Sequence, residues 1–394
     1  MYYIVGKGKT AMSVVRYCQR RNIAHQQVDT WLPPAQAVDR IIVSPGIDPK
    51  PQIIPYARQH NIPLTNDIGL FVEQSQVPRI VITGSNGKST VVTLLAEMLR
   101  AAGYIADAIG NIGRPVLDYV DRDDMDYVVM EVSSFQLEVL ESIPCEVAYV
   151  TNLSHDHLDR HGDMNAYAHE KAKVYRDCAI AVINQDDPYC RVMPTGNAQR
   201  IIISSQDRLS VSLKMVGEHN RLNALACWVM SSALGIKTCS VQAVMEQFSG
   251  LPHRCQCVQQ ARGVAWYDDS KATNVASTLV AINSFASNNI ILLLGGRGKG
   301  QDFSSLKPVI ARYVKMVILL GEERYSLDHL LREVVHTQIV DTLQEAVNVA
   351  GRQAQPGDIV LLSPACSSLD MFEHFEQRGH LFLAAIRNFL HESA

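Results

Sequence analysis

Short apolar runs rich in β-branched side chains recur along the chain, and stretches with helical spacing lie between them. Runs of this length, bounded by Gly, Pro, Asn and Asp, read as buried strands. The first is Tyr2–Val5, followed by a helix to about Arg20. Further strands are expected at 41–43, 80–83, 127–132, 147–152, 264–267, 290–294, 316–320 and 359–362, with a helix over 91–101. Regular strand–helix alternation predicts an α/β protein whose sheets are largely parallel. Polar, Pro-marked breaks at 73–78 and 251–254 divide it into three domains, 1–76, 77–250 and 251–394. No internal repeat or low-complexity segment interrupts this order.

A length of 394 residues is enough for two or three separate cores. With 47% apolar and 19% charged residues, the composition is that of an ordinary soluble α/β protein. A net charge of −4, with no basic block or basic–aromatic stripe, argues against a nucleic-acid partner. The nine cysteines are scattered and odd in number. Cys255 and Cys257 form the one close pair and no second pair faces it, so neither a disulfide framework nor a zinc site is expected. Reduced thiols point to the cytoplasm. The N-terminal apolar run is too short for a signal peptide, and no run approaches the ~18 residues that span a bilayer.

The chemistry concentrates at 79–90, RIVITGSNGKST. A buried strand breaks into Gly84, Ser85, Asn86, Gly87, Lys88, Ser89 and Thr90, and a helical pattern follows. Strand, Gly-rich turn, Lys-Ser, helix is the layout of a phosphate cradle, in which backbone N–H groups and a helix N-terminus face the anion. Lys88, expected to be solvated until phosphates arrive, can reach β- and γ-phosphates, and the Ser89 hydroxyl can sit on Mg²⁺. Ile82 stands where the full pattern requires Gly. A Gly-rich turn with an incidental lysine is the plainer alternative.

A second Gly-rich loop, Gly6-Lys7-Gly8-Lys9-Thr10-Ala11, follows the first strand, with Asp29 about 20 residues on. This G-x-G-x-x-A pattern fits a Rossmann-like domain holding NAD or the diphosphate of another nucleotide. Ser44-Pro45-Gly46 makes a turn after the next strand. In the middle of the chain, Glu131 ends a strand and is a candidate to hold Mg²⁺, or else a plain charge at a helix start. Residues 152–161, NLSHDHLDRH, pack three His and two Asp into ten positions. Their spacing does not match a zinc helix motif, and a second Mg²⁺ or a phosphate contact suits them better. Asn220 and Asn223, three apart, share one helix face.

Taken in order, GSNGKST, EVSSFQLE, NLSHDHLDRHG, YAHEKAKVY (167–175) and GEHNRLNALA (217–226) resemble the Mur ligase family. GLPHR (250–254), DDSKATN (268–274), GGRGKGQDF (295–303) and SPACSSLDMF (363–372) resemble its D-glutamate-adding branch. The resemblance implies a Rossmann-like N-terminal domain for a UDP-linked substrate, a P-loop ATPase-like central domain and a Rossmann-like C-terminal domain for the amino acid. It implies that ATP phosphorylates the carboxylate of UDP-N-acetylmuramoyl-L-alanine and that D-glutamate attacks the acyl phosphate. Implied catalytic residues are Lys88, Glu131, His157 and Lys171. Two Mg²⁺ ions would be held by Ser89, Glu131, His157 and a CO₂-derived carbamate on Lys171, with Lys173 as its unmodified neighbour. Asn220, Asn223, Arg254 and Asp269 map to ATP; Lys9, Thr10, Ser44, Pro45, Gly46 and Asn111 to the UDP substrate; Lys271, Thr273, Lys299, Ser368 and Phe375 to D-glutamate. His253, Ser270, Ser367 and Asp370 read as structural. The first domain is short, and Trp31 stands where an Arg near the uracil is typical. Membrane insertion is not implied, and a monomer is the default state. Open alternatives are another amide ligase of the superfamily, such as a folylpolyglutamate synthase, and a non-catalytic nucleotide-sensing homologue.

Overall fold

In the computed structural model, which describes residues 1–215, 217–285 and 289–392, the strands assemble into three sheets. The first has the order β2-β1-β3-β4, with β1 Tyr2–Val5, β2 His25–Val28, β3 Arg40–Val43 and β4 Leu64–Thr65, all parallel. Side chains alternate between its faces. Tyr3, Val5, Ile41 and Val43 pack with Ile53 and Ala57 of the helix Ile53–Gln59. Ile4 and Ile42 join Ala11, Val14, Tyr17 and Cys18 of the helix Lys9–Arg20. A parallel sheet covered on both faces explains why its central strands β1 and β3 read as apolar runs.

The second sheet has the order β10-β9-β8-β5-β7-β6, also all parallel. Its strands are β5 Arg79–Thr83, β6 Ala106–Gly110, β7 Tyr127–Glu131, β8 Cys145–Val150, β9 Cys178–Asn184 and β10 Gln199–Ile203. From β5 the chain passes to the edge strand β6 and returns to β7 between them, then crosses to the other side of β5 and builds outward through β8, β9 and β10. The crevice beside the C-terminal end of β5 is therefore a topological switch point, where open α/β sheets place ligands.

The third sheet has the order β11-β12-β16-β13-β14-β15. It comprises β11 Gln256–Ala261, β12 Val264–Asp268, β13 Ile290–Gly295, β14 Val314–Leu320, β15 His336–Ile339 and β16 Ile359–Leu362. Ile291 and Leu293 face a core with the helices Leu343–Gln353 and Phe375–Glu392; Ile290, Leu292 and Leu294 face the opposite one. The edge strand β11 runs antiparallel to β12 and was not expected. Its sequence, QCVQQA, is half exposed and lacks an apolar run.

Boundaries shift by a few residues. The helix after β5 starts at Lys88 rather than 91, and β8 ends at Val150, which leaves Thr151 and Asn152 in a loop. The helix Asp67–Gln74 takes up the start of the expected break at 73–78. The chain forms two compact units: residues 1–211 with 222–246, holding the first two sheets, and 212–221 with 247–394, holding the third. Among the described residues, no helix is long and apolar enough to cross a membrane.

Candidate active site

The turn after β5 is shaped by two glycines with positive φ, Gly84 at 137° and Gly87 at 84°. A Cβ at Gly84 would run into the Thr151 hydroxyl, and one at Gly87 would stand 2.8 Å from Asn223 Oδ1. Both positions thus combine a conformation that favours glycine with a close neighbour. The loop is braced by the two residues that follow β8. Ser85 N donates to Asn152 O at 2.8 Å, Asn86 N to Asn152 Oδ1 at 3.0 Å, and Thr151 Oγ1 to Asn86 O at 2.6 Å. Gly87 caps the helix Lys88–Ala101 without a side-chain bond to its first amides. Thr90 is buried in its first turn.

Lys88 is not freely solvated. Its ammonium folds back onto the loop, donating to Gly84 O and Ser85 O at 2.8 Å each. Lys171, buried in the helix Met164–Ala172, donates to Gly84 O at 2.9 Å and to Thr83 Oγ1 at 3.2 Å. Its ammonium also lies 4.8 Å from the Tyr167 ring centroid. Burial first, and then the charge of Lys88, push the Lys171 pKa well below the usual lysine range. Lys173 is buried as well, paired with Glu170 at 2.6 Å and donating to Leu137 O at 2.8 Å.

Ser89 Oγ donates to Glu131 Oε2 at 2.6 Å, and Asn111 Nδ2 donates to Glu131 Oε1 at 3.0 Å. Glu131 is buried at the end of β7, beside the end of β5, and Asn111 follows β6. His157 is half exposed, with a left-handed φ of 55°, and its ring meets Phe135 edge-on at 4.7 Å. Among the described residues, no three His, Cys, Asp or Glu side chains cluster closely enough to hold a metal. The Ser89–Glu131 oxygen pair nevertheless suits Mg²⁺, which keeps several waters and takes few protein ligands. Lys171, as an amine turned to two oxygen acceptors, offers no ligand in this form.

In the first sheet, Lys9 is exposed and Thr10 half-buried at the start of the helix Lys9–Arg20. Ser44, Pro45 and Gly46 follow β3 at the same sheet edge. Ser44 Oγ is buried without a hydrogen-bond partner among the described residues, next to Gly6.

The second unit gathers most of the other expected residues. β12, β16 and β13 are parallel neighbours, so Lys271, Ser368 and Lys299, which follow them, leave the same sheet edge. Arg297 and Ser367 exchange backbone hydrogen bonds at 2.9 Å, tying the β13 and β16 loops together. The Lys271 ammonium sits 3.9 Å from the Phe375 ring centroid. Ser368 is buried, Thr273 half-buried and Lys299 exposed, with a left-handed φ of 54°. Asp269 is buried, accepting from Cys255 N at 3.0 Å and Ser363 Oγ at 2.8 Å. Burial raises its carboxyl to about 7, against the pull of those bonds and of Arg254. Asn220 belongs to this unit, whereas Asn223 belongs to the first and touches the Gly87 turn. His253 bonds Asp268 at 2.6 Å, Ser270 Oγ donates to Phe375 O at 2.8 Å, and Asp370 accepts from Glu322 N at 2.9 Å.

Sequence reasoning passed over two sets of residues. Thr151 and Asn152 brace the loop, and Asn152 lay inside a motif already singled out. Arg378, fully buried, donates to Ser270 Oγ, Ser270 O and Cys366 O, joining the loops after β12 and β16. It sits within an amphipathic helix, where nothing local marks it.

Two family models match, the Mur ligase middle domain over residues 82–202 and the Mur ligase glutamate ligase domain over 253–366. The UDP-N-acetylmuramoylalanine–D-glutamate ligase of Acinetobacter baylyi is 39% identical over 91% of this chain and 87% of that protein. The chain belongs to the Mur ligase family. Other ligases of the same name are also similar: that of Pseudomonas aeruginosa is 37% identical over 97% of both chains, and that of Legionella pneumophila strain Paris 35% over 98% and 99%. The fold is also that of the UDP-N-acetylmuramate-alanine ligase of Thermotoga maritima, with a TM-score of 0.63 at 18% identity, covering 100% of this chain and 98% of that one.

Proposed function

We propose that this Mur ligase joins D-glutamate to UDP-N-acetylmuramoyl-L-alanine, converting ATP to ADP and phosphate, in the cytoplasmic synthesis of peptidoglycan precursor. The near-full-length identity to ligases of that name carries the reading. The site geometry supports its chemistry. In this reading residues 1–76 form a Rossmann-like domain for the UDP substrate. Residues 77–250 form a P-loop ATPase-like domain, and 251–394 a Rossmann-like domain for D-glutamate.

A substrate carboxylate oxygen attacks the γ-phosphorus and ADP leaves. The D-glutamate amine then adds to the acyl carbon, and collapse of the tetrahedral adduct expels phosphate and a proton. Two anions must meet in the first step, so the protein has to supply positive charge. Lys88, now donating to two loop carbonyls, would turn to phosphate oxygens. Ser89 and Glu131, already 2.6 Å apart, would hold one Mg²⁺, and His157 with a Lys171 carbamate a second. Bound there, these ions would neutralise the phosphates. Asn111 holds Glu131 from the substrate side. Asn220, Asn223, Arg254 and Asp269 are assigned to ATP, and Lys9, Thr10, Ser44, Pro45 and Gly46 to the UDP moiety.

The carbamate reading draws support from the buried amine. A neutral lysine nitrogen adds to the carbon of CO₂, one C=O electron pair moves to oxygen, and a proton departs. Burial and Lys88 both favour that neutral form. For the amino acid, Lys271, Thr273, Lys299, Ser368 and Phe375 are assigned to a dicarboxylate, which needs donors at both ends.

Phosphate release should require ATP, UDP-N-acetylmuramoyl-L-alanine and D-glutamate together. Release that ignores either acceptor or donor would refute the assignment.

A further inference from the structure

A buried ionic cluster in the first unit serves neither the phosphate loop nor the Glu131 site. Glu138, whose side chain is 0% exposed, is gripped by Arg160, with Nε 3.2 and 3.1 Å from its two oxygens and Nη2 on Oε2. Lys50 Nζ stands 3.3 Å from Glu138 Oε1 and donates to Arg160 O at 3.3 Å. Arg160 also donates Nη1 to Pro45 O and Nη2 to Ile47 O, each at 2.9 Å. One guanidinium thereby binds a carboxylate and two carbonyls of the turn after β3. A planar fork of five donors spread over three nitrogens suits these separate acceptors, whereas a lysine presents its donors from a single nitrogen.

Arg160 is also anchored at its other end. It lies in the short helix Leu158–His161, capped by His157, and its backbone N donates to His157 O at 3.1 Å. Its guanidinium lies 4.1 Å from the centroid of the Phe135 ring that His157 meets edge-on. The 44–50 turn and the His157 loop are therefore fixed to each other through one residue.

We infer that Glu138, Arg160 and Lys50 form a positioning clasp that sets the distance between the turn holding the UDP end of the substrate and the His157 loop receiving its carboxylate end. This rests on the function proposed above. In that function the UDP end is assigned to the first loop and the carboxylate would be phosphorylated beside the ion assigned to His157, so the spacing of the two loops governs whether the carboxylate arrives in line with the phosphate. A misplacement of about 1 Å at a reacting centre costs on the order of 10²-fold in rate. The ATP loop is braced separately, by Thr151 and Asn152.

Arg160→Lys and Glu138→Gln in the full chain test the clasp. Each should remain folded by circular dichroism. Each should lower kcat/KM for UDP-N-acetylmuramoyl-L-alanine roughly 10–100-fold and leave the KM for ATP within about twofold. Amide hydrogen exchange in the substrate-free protein should accelerate across 44–50 and stay unchanged across 84–90. An equal loss for both substrates, or no loss, would overturn the clasp, as would unaltered exchange across 44–50. Absence of turnover in the unmutated protein would overturn the proposed function, and exchange alone would then decide the clasp. Should Glu138→Gln fail to fold, Lys50→Met gives the same readouts from the more exposed partner.

Discussion

Lys88 and Lys171 donate to one acceptor, the carbonyl oxygen of Gly84, at 2.8 and 2.9 Å. Two ammonium groups on one carbonyl repel each other, and burial leaves little solvent to screen them. Making Lys171 an anion would turn that repulsion into attraction. Intact-mass measurement in bicarbonate buffer should therefore find one added CO₂, lost in Lys171→Ala. That variant should lose most activity and regain part of it with small carboxylates. A free amine at Lys171 in the active protein would contradict this.

Lys173→Ala should separate stability from catalysis. Lys173 is buried and donates to Leu137 O, so its removal leaves a buried acceptor and Glu170 without that cation. Stability should fall by about 1–3 kcal/mol with kcat nearly unchanged. Denaturant titration and steady-state kinetics would reveal the reverse pattern if Lys173 were the functional lysine.

Lys88→Ala should lower kcat by on the order of 10²–10³ while the fold persists. Its ammonium donates to two carbonyls of its own part-buried turn, so melting should move little. Turnover like that of the unmutated protein would exclude a phosphate role for this loop.

Asp67 offers a pH test of the first unit. It is buried, and Oδ1 has no hydrogen-bond partner among the described residues. Burial raises its carboxyl to about 6, opposed by backbone amides and Gln136. The folded protein therefore holds this proton more tightly than the unfolded chain. The resulting stabilisation is complete below the unfolded pKa of about 4 and is lost as pH rises through 6. Asp67→Asn removes the titration, so its stability relative to the unmutated protein should rise by on the order of 2–3 kcal/mol from pH 4 to 7. A difference that stays flat with pH would contradict it.

Much of this was legible in the sequence because it is local. Apolar runs located the central strands of each sheet, and the Gly-Ser-Asn-Gly-Lys-Ser turn disclosed the loop and its Ser89 hydroxyl. What escaped depends on pairing between distant segments. β11 is a strand because β12 offers it an edge, not because QCVQQA has strand periodicity. Lys173 stood in the sequence only as the unmodified neighbour of Lys171, and its burial depends on Leu137, 36 residues away. Arg160 and Arg378 acquire their roles from carbonyls more than 100 and 12 residues away respectively, which no spacing rule registers.

For the third sheet, Lys299→Ala and Ser368→Ala should each raise the KM for D-glutamate at least tenfold, with the KM for ATP within about twofold. A lost hydrogen bond to a charged group costs about 1.5–3 kcal/mol, and ~1.4 kcal/mol is a factor of ten. D-alanine and D-glutamine should be poorer than D-glutamate by ~100-fold on the same arithmetic. Unchanged D-glutamate dependence in both variants would move the pocket elsewhere.

The central claim is that the substrate carboxylate is activated as an acyl phosphate. UDP-N-acetylmuramoyl-L-alanine carrying heavy oxygen in its carboxylate, turned over with ATP and D-glutamate, tests it most directly. One labelled oxygen should leave with the released phosphate and the other should remain in the new amide. Unlabelled phosphate, accompanying product that retains both labels or no product at all, would contradict it.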